Sequence, residues 1–299
     1  MKKIVLYLIV MLLVPNICKS QEWLTSFEAA KRLAIVQDKM ILMVWEESTL
    51  YPMRVIVEND QGKKMVMNNL FKNEVLNTLI WDYFVPVKVN ESMYEELYDN
   101  IKGKRSAVYI DKFNDDSLKI MDANGNILNL AYSYQEIFNL TAFINKYYIN
   151  TSFFKAELQN YFKESNFVTS FRLASKYIDA AIYVNENIRL ETIKLSNIYL
   201  NEARMYASTT EMENKASFEQ RVLLLDLEQE LVLNKPRKVL RFLKRIDSSE
   251  IHENNEALVA FLYVTAYRLI KDENNASEWR SKVSLVNLKK SNAIINNNK

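Results

Sequence analysis

The chain has 299 residues, 49% hydrophobic and 25% charged, the balance of a folded globular protein long enough for one large domain or two ordinary ones. With only three Gly, one Cys and one His, it carries no glycine-rich phosphate loop and no His/Cys zinc site. Cys-His and Ser-His-Asp catalysis are excluded as well unless His252 is the base, and no partner motif accompanies it.

Lys2 and Lys3 open the chain, followed by the apolar run Ile4 to Val14 and then Pro15. That run is too short to cross a bilayer, which needs about 20 residues. Cys18-Lys19-Ser20 places small side chains at the −3 and −1 positions of a cleavage between Ser20 and Gln21. Residues 1–20 therefore read as a secretory signal peptide, and no stable transmembrane anchor is expected. Lipidation at Cys18 is the alternative, disfavoured by Ile17 where such signals carry a small residue. Removing the signal takes three lysines from the 39 basic residues, leaving 36 against 37 acidic ones and a mature charge of −1. Nucleic acid is accordingly not expected as a partner. The mature chain would contain no cysteine, so its stability must come from its core.

From Gln21 to about residue 149, short apolar strands alternate with helical stretches. Thr25 and Glu28 suggest a capping box ahead of Phe27, Ala30, Leu33 and Ala34, an apolar set at helical spacing. Ile41 to Trp45 is continuously apolar, as befits a strand covered on both faces. A helix is expected over 73–82, a strand over Phe84–Val89, a helix over Ser92–Ile101 and a strand over Ala107–Ile110. Leu118–Met121 and Ile127–Leu130 flank Asp122-Ala123-Asn124-Gly125-Asn126, a hairpin signal through Asn-Gly. A last helix is expected over 135–148. The alternation predicts an α/β sandwich on a small mixed sheet.

After Asn150 the strand signals stop. Helices are predicted near 152–163, 166–183, 187–207, 215–233, 236–246, 254–271 and 276–287, separated by short breaks as in antiparallel helical hairpins. Ala257 to Tyr267 is apolar nearly all round, which places that helix centrally. Residues 150–288 thus read as an all-α domain resembling a tetratricopeptide array, as a solenoid or an irregular bundle. The polar, Asn-rich residues 289–299 read as a disordered tail.

The first half, residues 21–149, resembles a thioredoxin-like domain of exported bacterial proteins. Trp23, Phe27, Ala30 and Ala34 match the helix before the central strand, and Lys39–Trp45 is similar to that strand. Asn73-Glu74-Val75 and Asp82–Val87 are similar to the following helix and strand, and Leu118–Asn126 resembles the hairpin. The resemblance implies a thioredoxin-like α/β fold and export to the periplasm or cell envelope of a bacterium. Where redox members carry C-x-x-C, this chain reads Glu47-Ser48-Thr49-Leu50-Tyr51-Pro52-Met53-Arg54. Asp116 or Ser117 falls where the family places its cis-proline. Thiol–disulfide exchange is chemically impossible at such a site.

Trp45, Glu46, Glu47, Tyr51 and Pro52 lie where that family has its reactive or peptide-binding edge, and are the candidate binding residues. The bland account is a lost site refilled with ordinary residues. Glu46 and Glu47 are no glycosidase pair, because neighbours on a strand point to opposite faces. The Asp122–Asn126 run matches the opening of a calcium loop but lacks Gly and Glu at the later positions, so a turn accounts for it better. The basic stripe Lys235, Arg237, Lys238, Arg241, Lys244 and Arg245 reads as a solvated helix face. No catalytic residue, metal or cofactor is expected. The functional expectation is a non-enzymatic, exported protein-binding or assembly factor whose partner is another envelope protein or peptide. A hydrolase or isomerase using carboxylates and tyrosines, and a structural component of a surface complex, are the alternatives.

Overall fold

The computed structural model describes residues 22–59, 61–131, 138–209 and 213–298; the expected signal segment and its cleavage position at Ser20–Gln21 lie outside them. The first helix, α1 (Phe27–Gln37), starts one residue later than the Thr25 signal suggested. Ser26 is its cap, accepting from Ala29 N at 3.2 Å. Asp38, in the left-handed region at φ 56°, ends it and turns the chain into β1 (Met40–Trp45). All six β1 residues are buried, as a strand covered on both faces requires.

β1 is the middle of a small sheet. Helix α2 (Glu74–Tyr83), capped by Asn73, delivers the chain into β4 (Phe84–Val89), which lies parallel to β1 from Met40–Phe84 through Trp45–Val89. On the other side β5 (Lys119–Met121) runs antiparallel, pairing Ile41 with Met121. Single bridges extend both edges: Leu24 pairs parallel with Val87, and Ile127 antiparallel with Met121. The row therefore runs Leu24, β4, β1, β5, Ile127.

A second sheet had no clear sequence signal. Strands β2 (Val55–Glu58) and β3 (Lys64–Met67) form a hairpin, and β6 (Phe138–Asn139) joins β2 in parallel, in the order β3-β2-β6. After α3 (Tyr94–Ile101) the expected strand at Ala107–Ile110 is instead the start of helix α4 (Ala107–Asn114). Ser106 caps it, accepting from Tyr109 N at 3.3 Å. Tyr109, Lys112 and Phe113 form its buried face, at a spacing that a four-residue apolar window is too short to reveal. Helix α5 (Leu140–Tyr147) closes this half; the first three residues of the helix expected there, 135–137, lie outside the described residues.

The remaining chain is helical: α6 (Lys155–Lys163), α7 (Phe167–Tyr183), α8 (Glu186–Thr209), α9 (Lys215–Val232), α10 (Pro236–Leu243), α11 (Glu253–Leu269), α12 (Glu273–Arg280) and α13 (Leu285–Asn296). As its all-round apolar sequence predicts, α11 is central. Every residue from Val259 to Tyr267 is buried, with α9, α10, α12 and α13 packed about it. The helix expected over 276–287 is interrupted: 276–280 end α12, 281–284 form a break, and 285–287 begin α13.

The tail expected to be disordered over 289–299 is largely helix. Ser284 caps α13, Ser291 and Ile294 are buried, and Lys290 pairs with Asp179 of α7 and Glu228 of α9. Leu288, Ser291 and Ile295 recur at i, i+3 and i+7, a faint amphipathic signal beneath the asparagines. The junction between the halves is packed too. Ile149 and Thr151 are buried, Thr151 N donates to Asp38 O at 3.1 Å, and Lys155 pairs with Asp38 at 3.0 Å. One apolar cluster runs from Trp23 to Ile294 without interruption at residue 150.

Candidate functional site

In a sheet with parallel strands, the crevice beyond their carboxyl ends is the usual place for a site. Here those ends are Trp45 and Val89. The chain leaving β1 makes a short 3-10 turn over Glu47–Leu50, fastened to the end of β4. Glu46 N donates to Val89 O at 2.9 Å, and the Glu46 carboxylate accepts from Asn90 Nδ2 at 3.0 Å. Glu47 N donates to Glu91 Oε1 at 2.9 Å, and Thr49 Oγ1 donates to Glu46 O at 2.7 Å. Ser48 Oγ donates to Asp116 Oδ1 at 3.2 Å, so the turn lies against the segment before β5.

The five candidate residues separate into three kinds. Trp45 is core. Its Nε1 donates to Phe113 O at 3.0 Å and its ring meets Phe113 edge-on at 5.3 Å and Tyr94 at 5.8 Å. Glu46 and Glu47 hold the turn in place, Glu46 by its carboxylate and Glu47 by its amide. Tyr51 and Pro52 are exposed; with Leu50, Tyr51 makes an apolar tip, the two side chains being 73% and 76% accessible.

Beneath the turn lies a polar cluster with no clear sequence signal. Lys112 and Lys119 are both buried, and the Asp115 carboxylate stands between them at 3.2 and 3.3 Å. Burial pushes Lys119 down to about 8 and also lowers Lys112, against the attraction of Asp115. Burial alone would raise Asp115, but the Ser117 hydroxyl and the two ammonium groups hold it below the ordinary carboxylate range. Lys112 also contacts Ser117 Oγ, a pairing that in an open cleft would suggest an activated serine. Ser117 is buried, and its hydroxyl is committed to Asp115 Oδ1 at 2.6 Å. The cluster is a closed structural lock.

The Asp122–Asn126 hairpin holds a second buried charge. Asp122 is fully buried. One carboxylate oxygen accepts from Asn124 N and Asn126 N, both at 3.0 Å, and the other accepts from Tyr177 of α7 at 3.1 Å and from Tyr199 of α8. Asn126 Nδ2 donates back to Tyr199 at 3.0 Å. Burial raises Asp122 and both tyrosines, the negative Asp122 adding to the rise in the tyrosines. The carboxylate is used up by internal donors, so the resemblance to a calcium loop ends at the first position. The hairpin is the joint on which the helical half is mounted.

Among the described residues no group of three or more His, Cys, Asp and Glu is placed to hold a metal ion, and no helix is long and apolar enough to cross a membrane. His252 is an exposed cap position whose amide donates to Gln220 at 3.0 Å. The six basic residues of 235–245 are exposed, and Lys235 and Lys238 are paired with Glu230. Neither the family models, nor the curated proteins, nor the solved structures contain a match to this chain.

Proposed function

We propose that the chain is a non-enzymatic protein-binding factor exported to the cell envelope. In this reading a thioredoxin-like α/β unit without redox chemistry is joined to a tetratricopeptide-like stack of helical hairpins. The row Leu24, β4, β1, β5, Ile127, two parallel pairings followed by two antiparallel ones, supports the thioredoxin-like assignment. The observation that carries the function is the division of labour at the strand ends. The Trp45 N–H, the Glu46 carboxylate and the Ser48 and Thr49 hydroxyls are all engaged within the protein. Leu50 and Tyr51 are left as exposed apolar side chains on a turn held by those bonds. Such side chains, fixed on a rigid support, anchor a partner by filling its pockets.

The nearby β3 edge adds a second element. Asn59 N donates to Lys63 O at 3.1 Å, which fixes the ladder phase and turns the main-chain groups of Lys64 and Val66 away from β2. An extended peptide pairing there would add a strand to the sheet. The test is selection from a displayed library of extended peptides. Peptides enriched on the wild type should be lost on Leu50→Asp/Tyr51→Asp and kept on Leu285→Asp/Val286→Asp, an equally exposed apolar pair on α13. No enrichment, or equal loss on both variants, would refute the reading.

A further inference from the structure

A groove of about 290 Å³ lies between the two halves. One wall is the turn between α3 and α4 with the first residues of α4: Lys104, Arg105, Ser106, Val108 and Tyr109. The facing wall is α8, whose Lys194, Asn197, Ile198 and Asn201 fall at i, i+3, i+4 and i+7, a single helical face. Leu130 completes the floor. The α3–α4 wall is fixed, since Lys104 N and Arg105 N both donate to Ile101 O, at 3.0 and 3.1 Å.

The charges in this groove do not balance. Arg105 is neutralised by Glu202 of α8 at 3.0 Å, and the same guanidinium nitrogen reaches Asn126 at 3.0 Å. Lys104 and Lys194, one on each wall, have no carboxylate within 4.0 Å among the described residues. Glu191, one turn before Lys194, is buried and accepts from Ala131 N at 3.0 Å; it feels the charges of Lys146 and Lys194 only from beyond contact distance. Two lysines without a contact ion pair therefore line one cavity, together with two side-chain amides and an apolar floor of Tyr109, Leu130 and Ile198. A cavity at the junction of two structural units, apolar with a few convergent polar groups, is the common form of a small-molecule site.

We propose that this groove binds a small organic dianion carried on an apolar arm, of the phosphate-monoester or dicarboxylate class. The double negative charge matches the two lysines, which a single anionic oxygen pair would leave half compensated. The volume corresponds to about ten water molecules, room for one ring and its charged head. The apolar arm lies on Tyr109, Leu130 and Ile198, the head bridges Lys104 and Lys194, and the amides of Asn197 and Asn201 orient it. Because the walls belong to different halves, the bound ligand also ties the halves together. This site is remote in kind from the Leu50–Tyr51 tip and stands or falls independently of it.

The probes are phenyl phosphate and phthalate, titrated into the full mature chain by calorimetry and by amide NMR. Saturable one-site binding of either dianion is expected, with shifts at the Asn197 and Asn201 side-chain amides. Lys104→Glu and Lys194→Glu, both at exposed positions, should each weaken it by about tenfold or more. Lys238→Glu, in a second basic groove where Glu230 already pairs the lysines, should leave it unchanged. Binding of phenyl phosphate alone or of phthalate alone would name the head group and support the site. Three results would overturn it: no saturable binding of either dianion, equal affinity for inorganic phosphate, or weakening by Lys238→Glu without weakening by the groove variants. The wild-type amide shifts locate the ligand even where a variant fails to fold.

Discussion

Replacing Lys290 by Met tests whether the Asn-rich tail is a working part of the fold. Lys290 lies between Asp179 at 2.5 Å and the carboxylate of Glu228, whose side chain is 2% exposed. Burial alone would lower Lys290, but the two carboxylates raise it above an ordinary lysine; burial raises Glu228, and Lys290 opposes that rise. Without the ammonium, Glu228 is a buried charge lacking its ionic partner. It escapes most cheaply by taking up a proton. From an unfolded value of about 4.3, at about 1.4 kcal/mol per pH unit, protonation costs about 3.7 kcal/mol at pH 7 and about 1 kcal/mol at pH 5. The loss expected on breaking a buried pair, about 3–5 kcal/mol, agrees. The sign follows from the raised folded value: the variant's native state holds a proton the unfolded chain has released, so its deficit grows as pH rises and shrinks on acidification. Urea unfolding followed by far-ultraviolet circular dichroism at pH 5 and pH 7 measures both values. Removing both charges, in Lys290→Met/Glu228→Met, should recover most of the loss, since apolar replacement of a buried pair is often neutral. A deficit below about 1 kcal/mol at pH 7, or one that does not change with pH, would refute the reasoning.

Tyr199→Phe removes one of the four donors to Asp122 and should destabilise by about 1.5–3 kcal/mol at pH 7. The loss should narrow towards pH 4, because burial already favours a proton on Asp122 and the missing donor favours it further; urea titrations at the two pH values check this. Gly125 has φ +89°, and a Cβ there would stand 3.1 Å from Phe27 Cζ, so Gly125→Ala should lower stability by about 1–3 kcal/mol, read as a shift of the thermal midpoint. Asp115→Ala leaves two buried ammonium groups and should be far more destabilising than Lys119→Met. Because Lys119 in the folded protein titrates at about 8, below an unfolded lysine at about 10.4, the unfolded chain binds more protons across that window. Stability therefore rises with pH there, and Lys119→Met should flatten the slope. If the signal is removed before Gln21, the mature protein should show no titratable thiol after denaturation, whereas one thiol per chain would mean that Cys18 is retained.

Residues whose environment is set by their neighbours in sequence were legible; those set by distant contacts were not. Ile41–Trp45 reads as a doubly covered strand because five consecutive apolar positions leave no polar alternation. Ala257–Tyr267 reads as a central helix for the same reason. The failures occur where a local pattern is short or masked by polar residues. Ala107–Ile110 offers too few residues to separate a period of 2 from one of 3.6, and only the Ser106 cap with Phe113 three residues beyond Ile110 resolves it. The β2–β3 hairpin has only four residues in each strand, β2 half-buried and β3 largely exposed. In the tail, the seven asparagines or lysines among residues 289–299 hide Ser291, Ile294 and Ile295, whose burial depends on α11 and α7. The strand-end candidates came from the resemblance to the thioredoxin-like family, and which of them face solvent depends on Phe113, Asn90 and Glu91, whose contacts are tertiary. Arg105, Lys104 and Lys194 could not be grouped at all, since nearly ninety residues separate the first from the last.

The polar groups at the joint bear on what kind of machine this is. Asp122 with Tyr177 and Tyr199, Arg105 with Glu202, Ala131 N with Glu191, and Thr151 N with Asp38 O all cross between the α/β and helical halves. Five buried or half-buried polar contacts at one interface add little net stability over an apolar seam, because desolvation offsets most of their attraction. Their geometric demand is much greater. A rotation that separated Asp122 from either tyrosine would leave a fully buried carboxylate short of donors, a loss of about 1–3 kcal/mol for each bond broken. An apolar interface tolerates sliding, whereas this one has a single well-bonded orientation. The groove between Lys104 and Lys194 is formed by that orientation, so its shape is built in before any ligand arrives. A dianion bound there should raise the thermal midpoint without changing the circular dichroism of the native state. A ligand that instead required the halves to close on it would first have to break the Asp122 bonds, and would alter the tyrosine near-ultraviolet signal of Tyr177 and Tyr199 as it did so.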